Sequence, residues 1–223
     1  MFLYTANEIN ELEKSISTER LSTYLKATNG DKKKAVELYL WNSKTSAAFY
    51  FPLQSLEITF RNALHTALSA YYRNASWYDF APLDAGGLKL VSKAKTEVQK
   101  MHGAVNPPHV VAELSFGFWL SLLNKQYHQN LWIPVLGKSF PHAKRKRSEI
   151  HHELDHLRLF RNRIAHHESI FKRHLAKDYS KIIEIVGWIN QDKSRWVDHH
   201  SEVIALLVQK PSQKYKGKWN GIK

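Results

Sequence analysis

The stretch HHELDHLRLFRNRIAHHESI contains two patterns that imply different chemistries, and the first of them is that of a zinc hydrolase. His152, Glu153 and His156 have the HExxH spacing, in which two histidines on one helical face hold zinc and the glutamate activates its water. Three features weigh against this interpretation. Asp155 places a charge inside the motif, the glycine and third histidine of an extended zinc motif are missing, and Glu168 follows too soon on the same helix to be a third ligand.

The second pattern is an arginine and a histidine separated by four residues, Arg161 and His166. RNA cleavage without a metal needs a base for the 2′-hydroxyl proton, a cation for the phosphorane and an acid for the 5′-oxygen. Histidine transfers protons near neutral pH, and the arginine fork binds phosphate bidentately. The alternative is that both side chains only solvate a helix, or pair with Glu149, Glu153 and Asp155.

A single helix is expected to position all of these side chains. Its apolar residues recur at steps of three, three, four and seven and form one stripe: Leu154, Leu157, Phe160, Ile164 and Phe171. A separate strip of the same helix is mostly polar: Arg158, Asn162, Ala165, His166 and Ser169. Asn162 and His166 are then neighbours one turn apart, and the long side chain of Arg161 can reach over the strip.

The charge of the chain indicates a polyanionic partner. Its 223 residues carry a net charge of +13 and give a pI near 9.8, and nucleic acid is the commonest polyanion inside a cell. A basic surface that serves solubility alone is the alternative. The absence of cysteine excludes disulfides, thiolate metal sites and cysteine nucleophiles.

The sequence is expected to be that of a soluble, cytoplasmic protein with no membrane partner. No apolar run approaches the roughly 20 residues that span a bilayer. The N-terminal stretch MFLYTANEINELEKS lacks the basic and then apolar order of a signal peptide.

Helical periodicity continues through nearly the whole chain and predicts an all-α bundle. Asp31 is expected to cap a helix with one apolar side, formed by Ala35, Leu38 and either Trp41 or Asn42. A central helix is predicted over 46–72, with Pro52 as a kink or as its true start. Further predictions are a connection with exposed aromatic residues over 73–86, helices over 87–102, 107–123 and 194–208, a buried LSFGFWLSLL segment, and an apolar stripe of Tyr179, Ile182, Ile183 and Val186.

Three parts of the chain are predicted. Residues 1–45 form a helical appendage packed on the bundle, residues 46–208 the main helical domain, and residues 209–223 a flexible basic tail. A basic loop precedes the motif helix and can bind RNA phosphates or simply be solvated: Lys144, Arg145, Lys146 and Arg147. The tail combines cations with aromatic rings, as single-strand binders do: Lys214, Tyr215, Lys216, Lys218 and Trp219.

Three segments resemble the Abi-like abortive-infection family of bacterial phage-defence proteins, a branch of the HEPN superfamily. They are RNRIAHHESIF at 161–171, ELSFGFWLSLL at 113–123 and SLEITFRNALH at 55–65, which match the family's C-terminal, central and N-terminal motifs. The three occur in the family's order and frame roughly residues 20–190.

The resemblance implies an all-helical HEPN bundle that acts as an RNA endonuclease toxin. In that superfamily the R-x4-6-H helices of two subunits meet and form one composite site, so a homodimer is implied. Carried over to this chain, Arg161 would bind phosphate, His166 would transfer protons and Asn162 would orient either neighbour. His167 and Glu168 match the family motif and would have supporting roles, together with Arg158.

This chain differs from the family at one position of the C-terminal motif, and the role of its N-terminal motif is not fixed by the resemblance. Some HEPN toxins have a tyrosine two positions after the histidine, where an antitoxin enzyme attaches nucleotides, and Glu168 stands there in this chain. The family can instead be associated with a small RNA partner, which would agree with the positive charge. In the N-terminal motif, Arg61 and His65 are one residue closer than the nuclease spacing, so a structural role is favoured over a supporting RNA contact.

Three functions remain as hypotheses, and none needs an organic cofactor. The leading one is a homodimeric, metal-independent endoribonuclease toxin of a phage-defence system, which leaves 2′,3′-cyclic phosphate ends. The alternative is a non-catalytic RNA-binding protein that holds a cognate small RNA. The remote alternative is a zinc hydrolase that uses His152, Glu153 and His156.

Overall fold

The computed structural model describes residues 4–211, and within that range the chain forms helices and turns without a β-strand. The predicted all-α class is confirmed. In chain order the α-helices are α1 Ala6–Ile16, α2 Thr18–Ala27, α3 Lys32–Tyr72, α4 Ala85–His102, α5 Pro107–Glu113, α6 Phe116–Ser121, α7 Arg147–Ala165, α8 Leu175–Ile189, α9 Gln191–His200 and α10 Val203–Leu207. No helix of the described range is long and apolar enough to cross a membrane.

Helix α3 is a single helix of 41 residues, where two helices were predicted. Asp31 caps it as expected, since its Oδ1 accepts a hydrogen bond from the Lys34 N–H at 3.0 Å. Proline inside a helix removes a backbone hydrogen bond and costs about 3 kcal/mol. Pro52 lies between the buried side chains of Phe49 and Leu53, so core packing on both sides of the proline keeps the helix continuous. The predicted boundary between residues 45 and 46 falls inside this helix.

Two other predicted helices are each divided in two. The segment predicted over 107–123 breaks at Ser115, whose Oγ accepts from the Phe118 N–H at 3.3 Å and starts α6. The segment predicted over 194–208 breaks at Ser201, whose Oγ accepts from the Val203 N–H at 3.3 Å. A serine hydroxyl that satisfies a free amide favours a new helix start over continuation.

The connection after α3 is more buried than predicted. Trp77 is fully buried and Tyr78 is 1% exposed, whereas Phe80 is exposed. Trp77 packs against the rings of Phe118 and Trp119, which belong to the segment LSFGFWLSLL. The expectation that the apolar side chains of this segment are buried is confirmed, and Trp77 is buried because it packs against them.

Helix α7 packs on the centre of α3, and the N-terminal helices cover the chain just beyond its end. The Phe160 ring lies 4.9 Å from that of Phe49, centroid to centroid. In α2, the Tyr24 ring lies 5.4 Å from that of Tyr39 and 5.0 Å from that of Phe171. The N-terminal helices therefore contact the segment that carries the predicted RNA chemistry.

Candidate functional site at the end of helix α7

The motif helix ends earlier than predicted. Helix α7 stops at Ala165, and His166 is its C-cap, so one helix does not span the whole motif. Ser169 consequently lies outside the helix and not on its polar strip. Phe171 is buried as predicted, although the chain beyond the helix places it there.

A two-bond turn closes the helix end. The His167 N–H donates to the Ile164 carbonyl at 3.0 Å, and the Glu168 N–H donates to the Arg163 carbonyl at 2.8 Å. This pair of bonds is a Schellman motif, in which the residue after the C-cap adopts the left-handed conformation and is usually glycine. His167 occupies that position with φ of 56°. A side chain with a Cβ is disfavoured in this conformation, so other contacts must hold the turn.

Contacts from distant parts of the chain hold that turn. The buried Asn42 side chain of α3 accepts at Oδ1 from the N–H groups of Ile170, at 2.8 Å, and Phe171, at 3.1 Å. The Arg20 Nη1 of α2 donates to the His167 carbonyl at 3.0 Å. The sequence placed Asn42 only as a candidate for the buried side of its helix and gave no role to Arg20, because partners 128 and 147 positions away carry no local signal.

Arg161 forms an ion pair with Glu57, a residue for which the sequence predicted no role. Its Nε lies 3.5 Å from Oε2 of Glu57 on α3, and its side chain is 44% exposed. Glu57 belongs to the segment SLEITFRNALH, so two of the three quoted motifs meet at this ion pair. Among residues 4–211, no hydrogen bond engages the two terminal nitrogens of this guanidinium, and these are the atoms that bind phosphate as a fork.

Asn162 and His166 are one turn apart, as predicted, and the His166 N–H donates to the Asn162 carbonyl at 2.9 Å. Asn162 is half-buried and His166 is exposed. Among residues 4–211, no hydrogen bond or ion pair engages the side chain of either residue. An amide and an imidazole therefore stand side by side at the end of α7, open to a ligand.

The alternative pairing of the motif with nearby acids is not observed, because each of those acids has another partner. The Glu149 carboxylate accepts from the Lys146 N–H at 2.8 Å. Glu153 lies 3.4 Å from the Lys181 ammonium. Asp155 pairs instead with a residue predicted to support the site, Arg158, at 2.8 Å.

The remaining supporting residues lie around the turn and not against Arg161. Glu168 is exposed and pairs with Arg163 at 3.3 Å, which closes the turn from outside. Arg163 also donates through Nη2 to the Ser169 carbonyl at 3.2 Å. The side chain of His167 is exposed. These contacts stabilise the turn, and none of them reaches the Arg161 guanidinium.

The HExxH residues do not converge on a metal position. His152 is exposed, and no group of three potential ligands for a metal ion exists among the described residues. His156 Nε2 lies 3.1 Å from Oδ1 of the buried Asp178 and 2.8 Å from Nη2 of Arg173. Arg173 also donates to both oxygens of Asp178, at 2.9 Å each. This network joins α7 to the start of α8.

The first Arg-Asn segment has a different environment. The Nδ1 of His65 accepts from the Trp77 Nε1–H at 3.1 Å and lies 3.4 Å from the Ser69 hydroxyl. Burial, with a smaller contribution from the charge of Arg61, lowers the pKa of His65. Arg61 donates through Nε to its neighbour Asn62 at 3.2 Å. His65 therefore holds the connection after α3, and no hydrogen bond joins it to the motif helix among the described residues.

The basic loop lies at the opposite end of α7 from the motif. Lys144, Arg145 and Lys146 are exposed, whereas Arg147 begins the helix and donates through Nη1 to the Leu123 carbonyl. Arg161 follows Arg147 by fourteen positions of helix, which is about 21 Å at 1.5 Å per residue. Phosphates bound by this loop would therefore lie at the far end of α7 from Arg161. The tail cations and rings from Lys214 onward lie outside the described residues.

Comparisons of the chain with models of protein families, with curated proteins and with solved structures find no match.

Proposed function

We propose that this protein is a metal-independent endoribonuclease whose site is built on Arg161, Asn162 and His166. The proposal is supported above all by one observation: the Asn162 amide and the His166 imidazole stand unengaged at the end of α7, beside an arginine oriented by Glu57. The resemblance of three segments to the Abi-like family and the net charge of +13 agree with an RNA substrate and a role in phage defence.

Each residue has a distinct role in this reaction. The terminal nitrogens of Arg161 bind the scissile phosphate and stabilise the charge that develops on the phosphorane. His166 transfers a proton, because imidazole exchanges protons near neutral pH. Asn162, one turn before His166, donates a hydrogen bond that orients either the imidazole or the phosphate. The 2′-oxygen attacks phosphorus as the 5′-oxygen leaves, which gives a 2′,3′-cyclic phosphate.

A second copy of the chain completes the site in this proposal. Removal of the 2′-hydroxyl proton and protonation of the 5′-oxygen need two groups, and two α7 ends placed together supply two histidines. Leu159 precedes Asn162 by three residues and His166 by seven, so it lies on the same side of α7, and it is 51% exposed. A partner surface that approaches this side of α7 would cover Leu159.

The test is cleavage of total RNA by purified protein in EDTA, with Arg161→Ala, His166→Ala and a matched control. The control is His152→Ala, which removes another exposed histidine from the same helix. We expect cleavage by the wild type and by the control, and loss of cleavage in the two motif variants at unchanged melting temperature. Cleavage by both motif variants would contradict the assignment of this site.

A second candidate is an RNA-binding protein without turnover, which would hold a cognate small RNA. It is favoured by the position of the basic residues, which lie at the far end of α7 from Arg161. We expect such a protein to bind RNA with an affinity that falls steeply with salt, since several phosphate contacts release counterions. An affinity that stays constant from low to high salt would contradict this candidate.

A further inference from the structure

A groove at the N-terminal end of α7 has no part in the proposed cleavage. It has a volume of about 590 Å³ and is formed by two segments of the chain. One contributes Lys125, His128 and Trp132, and the other contributes Arg145, Lys146 and Arg147. Its distance from the motif, about 21 Å along α7, makes it a separate site.

The groove is positively charged. Four cationic side chains line it and no carboxylate does. Two acids lie close by: Glu184, which is 3.7 Å from Arg145, and Glu149, which accepts from the Lys146 backbone N–H. Lys125 and the Lys146 ammonium have no ion pair among residues 4–211. The cations therefore outnumber the neighbouring acids, and two of them are unpaired.

Nitrogen atoms in the walls of the groove also lack partners. The Arg147 guanidinium is fixed by its bond to the Leu123 carbonyl, but its buried Nε has no hydrogen-bond partner in the described range. The buried Nδ1 of His128 has none either. Both nitrogens are shielded from solvent, so an anionic ligand in the groove would be held by the exposed cations Lys125, Arg145 and Lys146. The same ligand would meet the positive end of the α7 dipole.

An aromatic ring beside these cations indicates the class of ligand. Trp132 is half-buried, and its ring is held 5.8 Å from that of Phe140, centroid to centroid. Free phosphate and acidic peptides need only the cations, whereas single-stranded nucleic acid uses cations for its phosphates and an aromatic face for its bases.

We propose that this groove binds single-stranded RNA, with Trp132 stacked on a base and Lys125, Lys146 and Arg147 contacting phosphates. The choice of RNA over DNA rests on the proposed function. Binding at the groove holds the RNA about 21 Å along α7 from Arg161. RNA would then be bound at the start of α7 and cleaved at its end, so a substitution at one end can abolish binding or cleavage without the other.

The first test reverses two charges of the groove. Lys125→Glu with Lys146→Glu is compared with Lys89→Glu with Lys93→Glu, which changes the net charge equally at exposed lysines of α4. All proteins carry His166→Ala and bind a fluorescent single-stranded RNA of roughly ten nucleotides in EDTA. We expect the groove variant to reduce the slope of log affinity against log salt by about 1.4, since each phosphate contact on a single strand contributes about 0.7. An equal reduction in the α4 control would overturn the groove as the site.

The second test concerns the ring of Trp132. Trp132→Leu is expected to weaken RNA binding about fivefold or more, whereas Trp132→Phe keeps a stacking face and most of the affinity. Trp196→Leu is the matched control, because Trp196 is an exposed ring with the Lys193 ammonium 3.9 Å from its centroid. Equal binding by Trp132→Leu and the wild type, at equal melting temperature, would overturn the stacking. If polyphosphate binds as tightly as RNA, and Trp132→Leu does not change its affinity, the groove is a general anion site instead.

The groove and the nuclease proposal fail in different ways. If the wild type binds RNA through the groove but never cuts it, the nuclease proposal is wrong and the groove proposal stands. If both groove variants bind RNA normally, and the same substitutions in a protein that retains His166 leave cleavage normal, the groove proposal is wrong and the nuclease proposal stands.

Discussion

The chain contains two Arg-Asn pairs that are each followed by a histidine, and the structure places them in opposite situations. Arg61, Asn62 and His65 lie in the interior of the long helix α3, whereas Arg161 and His166 lie at the end of α7. His65 is half-buried and accepts a hydrogen bond from Trp77. His166 is exposed, and its side chain has no partner among the described residues.

The two histidines share a residue type, so their different environments follow from where each helix ends. In α3 the helix continues for seven residues past His65, so the imidazole remains on the helix surface and is covered by the connection that follows. In α7 the helix stops at Ala165, so His166 stands at the last turn, where the chain reverses direction. One histidine therefore stabilises the fold, and the other is free for a ligand.

The largest difference between the two histidines is expected when each is replaced by a residue that cannot transfer a proton. General acid–base catalysis contributes about 10² to 10⁴-fold, so His166→Ala is expected to lower the rate of RNA cleavage by that factor. His65→Gln is expected to leave the rate per folded molecule within about twofold, because His65 lies in a separate environment. The measurement is the initial rate on a labelled RNA in EDTA, and a comparable loss in both variants would contradict the division of roles.

The next largest effect concerns the residue that holds the chain after His166. Asn42→Ala leaves the N–H groups of Ile170 and Phe171 buried without an acceptor, which costs about 1 to 3 kcal/mol for each. We therefore expect the free energy of unfolding to fall by about 2 kcal/mol or more in urea denaturation. The control is Asn62→Ala, an exposed asparagine of the same helix, which should change it by less than about 0.5 kcal/mol. Equal effects would show that the turn does not depend on Asn42.

The structural role of His65 should be visible in how the free energy of unfolding depends on pH. The pKa of His65 is lowered by burial and by Arg61, so the folded protein binds this proton less readily than the unfolded chain does. The contribution of His65 to stability is therefore complete above its ordinary pKa of about 6.5 and is lost as the pH falls toward the lowered folded value.

The measurement is urea denaturation at several pH values between about 7.5 and 5. Loss of the bond to Trp77 should contribute about 1 kcal/mol of the fall in wild-type stability. His65→Gln should have a lower free energy of unfolding than the wild type at the upper pH. Its stability should then decrease less as the pH is lowered, because the bond from Trp77 to His65 is already absent. His151, whose pKa burial also lowers, contributes a fall of the same sign that both proteins share. Identical pH profiles for the two proteins would assign no such role to His65.

The smallest expected effect tests the left-handed residue beside His166. His167→Gly relieves a conformation that costs a side-chain-bearing residue about 1 to 2 kcal/mol, while glycine loses more entropy on folding. The net result should be a gain of up to about 1 kcal/mol in the free energy of unfolding, with cleavage retained. Ala165→Gly, in the last turn of α7, is the control and should lose about 0.5 to 1 kcal/mol. A loss in both variants would contradict the strain at His167.

Much of the fold could be predicted because helical periodicity is a local property. The cap at Asp31, the buried side of Ala35, Leu38, Trp41 and Asn42, and the stripe of Leu154, Leu157 and Phe160 are all found as the spacing predicts. The polar neighbours Asn162 and His166 were predicted from the same spacing and are one turn apart. These features depend on residues within a turn or two of each other, so the sequence contains the information directly.

Helix ends were predicted less well, since their backbone groups are satisfied by partners that are distant in the chain. The continuity of α3 through Pro52, the stop of α7 at Ala165 and the anchoring of the following turn by Asn42 depend on contacts that bring distant segments together. The ion pair of Glu57 with Arg161 and the groove between Trp132 and Arg147 also join segments that are far apart in sequence. Helical structure and the positions of the apolar faces can therefore be predicted from local spacing. Which polar side chains are engaged and which are open to a ligand depends on how the helices pack, because burial and long-range hydrogen bonds exist only in the packed structure.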